Sequence, residues 1–209
     1  MEHTLCTEGF GIRLRPVQMN DAAFIVWLRN SEHAKGRLGD SAANATSQEA
    51  WLKAHFERAG DCYFIVETLS GIPLGTSGLY DERGTSAETG WWIIRPGVPA
   101  ALPSLILAFD MAFQRLGLTE LRATTVSTNS PVLSLNRKMG FQQTHVERAG
   151  RVIGGKPVDM VHFVLTPGDW AKARERLLPL AKLAENQVRE WEQAEMKARG
   201  QEERRSQSF

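Results

Sequence analysis

The sequence predicts an α/β protein in which helices cover both faces of a mixed, mostly antiparallel sheet, with a helical extension at the C-terminal end. Two observations predict the sheet. Short apolar stretches at residues 63–67, 74–80 and 88–94 alternate with Gly-containing turns, as in an antiparallel meander. A helical period over residues 102–116 then leads to another strand at 121–126. Because a helix between two strands indicates a parallel crossover, the predicted sheet is mixed.

The N-terminal part predicts one strand and two helices. Ile12 and Leu14 alternate with arginines, which is typical of a short, half-exposed strand. Asn20 has the side chain of a helix cap and precedes an apolar period, which predicts the first helix. A second helix is predicted near Thr46, because Thr46 and Glu49 have the spacing of a capping box.

The part after residue 126 predicts a helix followed by a hairpin. Pro131 suits the first turn of a helix, where its missing N–H has no partner to lose. Gly140 suits the left-handed residue that ends such a helix. Residues 141–147 and 158–165 then have the alternation of two strands on either side of a Gly-Gly turn.

The chain is predicted to form a domain over residues 1–166, an amphipathic helical extension over 167–199 and a polar, disordered tail over 200–209. Pro179 is expected to divide the extension into two arms. An apolar stripe on the extension must be covered, either by its own domain or by a partner chain. We expect a partner chain, and hence a homodimer. The stripe is formed by Trp170, Leu177, Leu180, Ala184, Val188 and Trp191.

The composition excludes several classes of protein. The chain has 25 basic and 24 acidic side chains, so it lacks the basic excess of a dedicated nucleic-acid binder. No apolar run approaches the ~20 residues that span a membrane, and no apolar signal core begins the chain, so a cytoplasmic protein is expected. Cys6 and Cys62 form no redox motif, and His145 and His162 lack the spacing of metal ligands, so no metal site is predicted.

Two segments resemble the GNAT superfamily of N-acyltransferases. The first is residues 88–96, ETGWWIIRP, which precede a turn and a long helix. The second is residues 129–141, NSPVLSLNRKMGF, which are similar to the family's Asn-containing strand end, helix and closing Gly-Phe pair. By order of elements the resemblance extends over residues 10–166. Within the superfamily the chain looks closest to bacterial enzymes that acetylate amino-sugar nucleotides or the N-termini of ribosomal proteins.

This resemblance implies transfer of an acetyl group from acetyl-CoA to a primary amine, by direct attack on the thioester. The pantetheine arm is implied to lie between the strands at 90–94 and 121–126, with a backbone N–H near the end of the first strand holding the oxyanion. The pyrophosphate is implied to lie at the start of the next helix. The implied cofactor-binding residues are Ile93, Ile94, Arg95, Gly97, Val98, Ala100, Ala101, Leu102 and Asn129. For Asn129, a role as the cap of the following helix is the favoured alternative.

The phosphate loop departs from the family pattern, Gln/Arg-x-x-Gly-x-Gly/Ala, in its centre. Arg95 and Ala100 match the first and last positions, but Val98 replaces the glycine and Pro99 has no N–H to donate. The altered loop therefore favours an alternative in which a GNAT-fold protein binds acyl-CoA, or another ligand, without turnover. A second alternative is a protein-interaction scaffold that acts through its C-terminal helix.

An amine nucleophile must lose a proton near neutral pH, because an alkyl ammonium group has a reference pKa of ~10.4. Glu88 is the predicted base, acting directly or through water, although a purely structural role for it stays open. Tyr80, Asp81 and His145 are weaker candidates. Asn136 occupies the position where the family often has a tyrosine that protonates the leaving thiolate. An amide cannot be that acid, but it can donate a hydrogen bond to the sulfur.

The acceptor amine is not identified by the sequence. A small amine, an aminoglycoside, an amino-sugar nucleotide and a peptide N-terminus all remain, because acceptor pockets are formed by variable loops. Residues 36–45 and 148–156 are expected to frame the pocket. Trp91 and Trp92 point to opposite faces of a strand, so we expect one in the core and the other at the acceptor pocket.

Overall fold

The structure is a computed structural model that describes residues 3–31 and 44–206, and it has helices on both faces of an eight-stranded sheet. The predicted mixed α/β architecture is thereby confirmed. The strands are β1 (Thr7–Gly9), β2 (Ile12–Pro16), β3 (Cys62–Thr68), β4 (Pro73–Arg83), β5 (Ser86–Ile94), β6 (Glu120–Val126), β7 (Gln142–Ile153) and β8 (Lys156–Leu165). The helices are α1 (Ala22–Arg29), α2 (Ala45–Phe56), α3 (Ala101–Asp110), α4 (Ser130–Lys138) and α5 (Pro167–Ser206).

The order of strands in the sheet is β1-β2-β3-β4-β5-β6-β8-β7. Every neighbouring pair is antiparallel except β5 and β6, which α3 joins as the predicted parallel crossover. This parallel pairing is short. It extends from the pair of Ser86 and Glu120 to the pair of Glu88 and Arg122, and none follows in the described chain. The two central strands therefore separate over the rest of their length.

Two apolar cores cover the two faces of the sheet. On β3, Phe64 faces the core that contains Phe109 of α3, whereas Tyr63 and Ile65 face the core that contains Leu52 of α2. The alternation of side chains along an extended strand explains this division. Because β3 is buried on both faces, its sequence is a continuous apolar run. We call the two sides the α3 face and the α2 face.

Two of the predicted helix caps differ in the structure. The Oδ1 atom of Asn44 accepts a hydrogen bond from the N–H of Ser47 at 2.9 Å, so α2 is capped by Asn44 and the predicted cap at Thr46 is wrong. Before α1, the carboxylate of Asp21, not the side chain of Asn20, accepts a backbone hydrogen bond at 2.7 Å. Asn44 has the extended backbone of an N-cap residue, whereas Asp21 has a helical backbone and its carboxylate accepts from the N–H of Gln18.

The predicted helix over residues 102–116 is shorter in the structure. The α-helical pattern ends at Asp110, and a single π-helical turn over Met111–Arg115 completes the segment. Asp110 is then held by α5, since its carboxylate accepts hydrogen bonds from Trp170 at 2.9 Å and Arg174 at 2.8 Å.

The C-terminal extension is one helix that passes Pro179 without being divided into two arms. It also continues through residue 199 to Ser206, so the described part of the predicted disordered tail is helical. Although α5 is long, no helix among the described residues is long and apolar enough to cross a membrane.

The apolar stripe of α5 packs on its own domain, so the expected contact with a partner chain is not what covers it. Trp170, Ala173, Ala181 and Val188 are buried in the core of the α3 face. Leu180 was predicted to belong to the stripe, but its side chain is exposed. The small side chains of Ala173 and Ala181 allow α5 to pack closely against α3 in this core.

We predict that Val188→Asp lowers the free energy of unfolding by roughly 3–5 kcal/mol, because it places an unpaired carboxylate in the core. Val188 is 0% exposed and lies against Gly11. The matched control is Gln187→Asp, at an exposed neighbouring position, which should change stability by less than about 0.5 kcal/mol. Urea denaturation measures both variants. Equal stability of the two would mean that α5 does not dock on the domain.

Candidate active site

A cavity of about 650 Å³ lies where β5 and β6 separate. Side chains from both faces line it, among them Trp51 from the α2 face and Phe109 and Leu135 from the α3 face. The cavity therefore passes through the sheet from one face to the other. Its volume is in the range of small-molecule binding sites.

A β-bulge at Trp91 shapes this part of β5. Between the pair of Gly78 and Gly90 and the pair of Thr76 and Ile93, β5 has one residue more than β4. Trp91 adopts a φ of 48°, a left-handed conformation that bulky residues rarely take. The hydroxyl of Thr76 holds this conformation by donating a hydrogen bond to the Trp91 carbonyl at 2.6 Å. A bulge bends the strand that contains it, and β5 leaves β6 in this region.

Two glycines make room for an aromatic cluster on the α2 face. A Cβ atom at Gly78 would lie 2.5 Å from the Trp91 ring, and one at Gly90 would lie 2.6 Å from the Tyr80 hydroxyl. Trp91 stacks on Tyr80 with a distance of 4.2 Å between ring centroids, and its edge meets the Trp51 ring at 5.5 Å. All three aromatic side chains line the cavity.

Tyrosine side chains at the cavity remain protonated at neutral pH. Burial raises the pKa of Tyr80 well above its usual range, and the nearby charge of Glu88 raises it further. Burial likewise raises the pKa of Tyr63 to about 12. Tyr80, one of the weaker predicted bases, is therefore suited to donating a hydrogen bond rather than to accepting a proton.

Trp91 and Trp92 both line the cavity, although they face opposite sides of the sheet. Trp91 packs with the core of the α2 face and Trp92 with that of the α3 face. The Nε1 atom of Trp92 donates a hydrogen bond to the Ser104 hydroxyl at 3.1 Å, which fixes the ring against α3. We expected one tryptophan in the core and the other at the acceptor pocket. Both line the cavity instead, because the cavity is open to both faces of the sheet.

Both predicted asparagines line the cavity. The Nδ2 atom of Asn136 donates a hydrogen bond to the Thr125 hydroxyl at 3.4 Å. Asn129 precedes α4, yet its side chain makes no capping hydrogen bond. Its Oδ1 atom is buried and has no hydrogen-bond partner in the described protein. A buried oxygen in this situation at a cavity wall suits an N–H donor from a ligand.

Glu88, the predicted base, is not among the residues that line the cavity. Its carboxylate lies 3.8 Å from the guanidinium of Arg122, and its strand neighbour Tyr80 stands at the cavity wall. Asp81, another candidate, also pairs with Arg122 at 3.2 Å, and a hydrogen bond from Arg83 lowers its pKa. Neither carboxylate is part of the cavity lining, and a role of Glu88 as the base stays a prediction.

The side chain of Arg95 is held by α5 and α1. Its guanidinium lies 5.2 Å from the centroid of the Trp191 ring and 5.5 Å from that of Trp27. The Glu195 carboxylate is 3.6 Å from the same group. These cation–π and ionic contacts tie the start of the predicted phosphate loop to the C-terminal helix.

The rest of the predicted cofactor loop lies beyond the cavity lining. The side chains of Val98 and Ala100 are buried in the core, so the unexpected valine adds no bulk on the outer side of the loop. Gly97 has a φ of 78°, and no atom would lie within 4 Å of a Cβ there. The other predicted residues are Ile93 and Ile94, which are buried, and Ala101 and Leu102, which are half-buried in the first turn of α3.

The loops expected to frame the acceptor pocket are only partly described. Residues 36–43 of the first loop lie outside the described residues. The second, at 148–156, is the tip of the β7–β8 hairpin, and Arg151 from it lines the cavity. Arg29, Ser47 and Gln48 also line the α2 side but were not predicted as site residues, because a lone polar residue at a helix end has no distinguishing sequence signal.

The structure also brings together Thr124, Glu147 and the two histidines of the β7–β8 hairpin, His145 and His162. The Nδ1 atom of His162 lies 3.3 Å from the hydroxyl of Thr124, and its Nε2 atom lies 3.1 Å from the Glu147 carboxylate. The ring of His145 stacks on that of His162, with 4.2 Å between centroids. No group of three side chains in residues 3–31 and 44–206 is arranged to hold a metal ion.

This fold and cavity belong to a known family. The model of the acetyltransferase (GNAT) domain family matches residues 12–142, and the chain is a member of that family. Membership assigns the chain to the acetyltransferases. No curated protein matches the sequence.

Solved structures share the fold at low sequence identity. A GCN5-related N-acetyltransferase from Brucella melitensis is 20% identical with a TM-score of 0.74, and the match covers 86% of each chain. FdhC, a nucleotide-linked sugar GNAT, is 23% identical with a TM-score of 0.69 over 84% of this chain and 98% of its own. A variant of the spermidine N-acetyltransferase SpeG from Vibrio cholerae is 20% identical with a TM-score of 0.68 over 78% and 98%.

We predict that Gly78→Ala destabilises the protein by about 1–3 kcal/mol, because the added methyl group overlaps the Trp91 ring and the aromatic cluster must shift. Urea denaturation provides the free energy of unfolding. Gly168→Ala is the control, since the nearest atom to a Cβ there is 4.0 Å away. If Gly78→Ala were as stable as the control, Trp91 would not pack on β4.

Proposed function

We propose that the protein transfers the acetyl group of acetyl-CoA to a primary amine by direct attack on the thioester. The observation that supports this most is the cavity between β5 and β6, which is open to both faces of the sheet. The acyl-CoA arm would enter from the α3 face and the amine from the α2 face. Their reacting groups would meet inside the sheet, away from water, where direct transfer competes best with hydrolysis.

Several groups on the α3 face suit the pantetheine arm and the pyrophosphate. The unpaired Oδ1 atom of Asn129 can accept a hydrogen bond from a pantetheine amide. The separated edges of β5 and β6 can pair with an extended amide chain. The first turn of α3, at Ala101 and Leu102, has the N–H groups and the dipole that favour phosphate.

Thioester attack creates an oxyanion and then a thiolate. A backbone N–H near Ile93 or Ile94, after the bulge in β5, would stabilise the oxyanion. The Nδ2 atom of Asn136 points into the cavity wall beside Thr125 and would donate a hydrogen bond to the departing sulfur. No strong acid is required, because thiol pKa values near ~8.5 make the thiolate a tolerable leaving group.

The charges of the α2 side favour an amine that also has an anionic group. Arg151 lines the cavity on this side, and no carboxylate does so among the described residues. Arginine binds carboxylate and phosphate groups in a bidentate manner, whereas a polyamine would meet like charges there. The aromatic surface of Trp51, Tyr80 and Trp91 would pack against the body of the acceptor.

The first test is cofactor binding by calorimetry. We expect acetyl-CoA to bind and to raise the melting temperature, because it binds the folded state alone. Asn129→Ala should weaken binding by about 5- to 30-fold through loss of a hydrogen bond, and Ala101→Asp should weaken it by placing an anion beside the phosphates. Ser134→Ala, an exposed position on α4, is the control. Absence of binding at millimolar acetyl-CoA would contradict the proposal.

The second test is CoA release with matched acceptors: glucosamine against its 6-phosphate, an amino acid against its amide, and spermidine as the polyamine. We expect the anionic member of each pair to be the better substrate. Arg151→Gln should remove most of that preference by raising KM, whereas Arg148→Gln, on an exposed arginine paired with Asp159, should not. Binding of acetyl-CoA without CoA release for any amine would support the non-catalytic alternative.

A further inference from the structure

Three polar side chains on adjacent strands form a continuous path that ends in the cavity. In the register of the sheet, Thr124 of β6 is directly opposite His162 of β8, which is directly opposite His145 of β7. Glu147 is two residues further along β7, on the same face. The hydroxyl of Thr124 is 3.3 Å from Nδ1 of His162, and the Glu147 carboxylate is 3.1 Å from Nε2. The Thr124 end of this path lines the cavity.

This path lies on the acceptor side of the sheet. Val161 and Phe163, the neighbours of His162 along β8, are buried in the core of the α3 face. His162 therefore faces the α2 side, where Tyr80 and Trp91 form the wall of the cavity. Of the three side chains of the path, only Thr124 lines the cavity, so an amine that enters from this side would contact the path at Thr124.

Exposure to solvent increases along the path from His162 to Glu147. The His162 side chain is 27% exposed and that of Glu147 is 54% exposed. The outer end of the path is thus in contact with solvent, where a proton can be released. The imidazole of His162 has Nδ1 towards Thr124 and Nε2 towards the Glu147 carboxylate. In this arrangement the ring can accept a proton at Nδ1 while the carboxylate orients it through Nε2.

We propose that Thr124, His162 and Glu147 form the relay that removes a proton from the acceptor ammonium, an inference that rests on the proposed function. The ammonium passes a proton to the Thr124 oxygen as the Thr124 hydroxyl proton moves to Nδ1 of His162. Glu147 holds the resulting imidazolium through the N–H of Nε2 until a proton leaves to solvent. The neutral amine then forms the C–N bond, the C–S bond breaks, and the second amine proton ends on the CoA thiolate.

The relay reaches the cavity lining through Thr124, whereas Glu88 lies outside that lining. The carboxylate of Glu88 instead lies 3.8 Å from the guanidinium of Arg122. The two candidates therefore make different predictions for the same assay, and Glu88→Gln is the rival variant against which the relay is compared.

The kinetic test uses the full-length chain and the best acceptor of the panel. We expect His162→Gln and Thr124→Val to lower kcat by about 100-fold or more while the Kd of acetyl-CoA is unchanged, as for loss of a general base. Thr124→Ser should restore most of the lost activity, because it keeps the hydroxyl. Thr128→Val, the same change at an exposed position, is the control. A kcat within about 3-fold of the parent for His162→Gln, with the large loss confined to Glu88→Gln, would overturn the relay.

A second measurement does not depend on turnover. The relay requires His162 to have its hydrogen on Nε2, facing Glu147, and a free Nδ1 facing Thr124. Nitrogen NMR of the labelled protein distinguishes the two tautomers, and Glu147→Gln should shift the population that the parent shows. A hydrogen on Nδ1 in the parent would overturn the relay even if acetyl transfer is observed. Absence of acetyl transfer with the expected tautomer would instead count against the proposed function.

Discussion

The separation of β5 from β6 is the constraint on which the rest of the site depends. The bulge at Trp91 bends β5, and it is held by a 2.6 Å hydrogen bond from Thr76 and by two glycines that leave space for aromatic rings. A continuous sheet would separate the two faces completely. The gap instead joins them, so that groups approaching from opposite sides can react inside the protein. The strained, left-handed backbone of Trp91 is therefore a feature of the functional site itself.

Much of the fold could be predicted because its elements have strong local signals. The meander, the crossover helix and the final hairpin each combine an apolar period with turn residues, and the structure contains all of them. The choice between neighbouring caps, as with Asn44 and Thr46, depends on backbone geometry that residue types alone do not determine. The partner of the α5 stripe could not be predicted either. An amphipathic period shows that a surface is covered, but not whether its own domain or another chain covers it.

The candidate site was predictable only where residues follow one another in the chain. Asn129 and Asn136 were identified from a contiguous segment, and both line the cavity. Thr124, His162 and Glu147 come from three strands, and only the sheet register brings them together. Since β8 inserts between β6 and β7, their sequence spacing has no simple relation to their distance in space. At Val98, the sequence suggested a change in the phosphate loop, because a valine replaces the glycine of the family pattern. In the structure its side chain is buried in the core instead.

In the proposed function, acetyl-CoA and the amine meet inside the cavity between β5 and β6. A crystal structure of the complex with CoA tests this most directly. We expect the pantetheine arm to lie between the two strands, with an amide within hydrogen-bonding distance of Asn129 and the sulfur beside Asn136. Its pyrophosphate should lie at the first turn of α3. If the pantetheine arm instead bound elsewhere on the surface and left the cavity free, the cavity between β5 and β6 would not be the site of transfer.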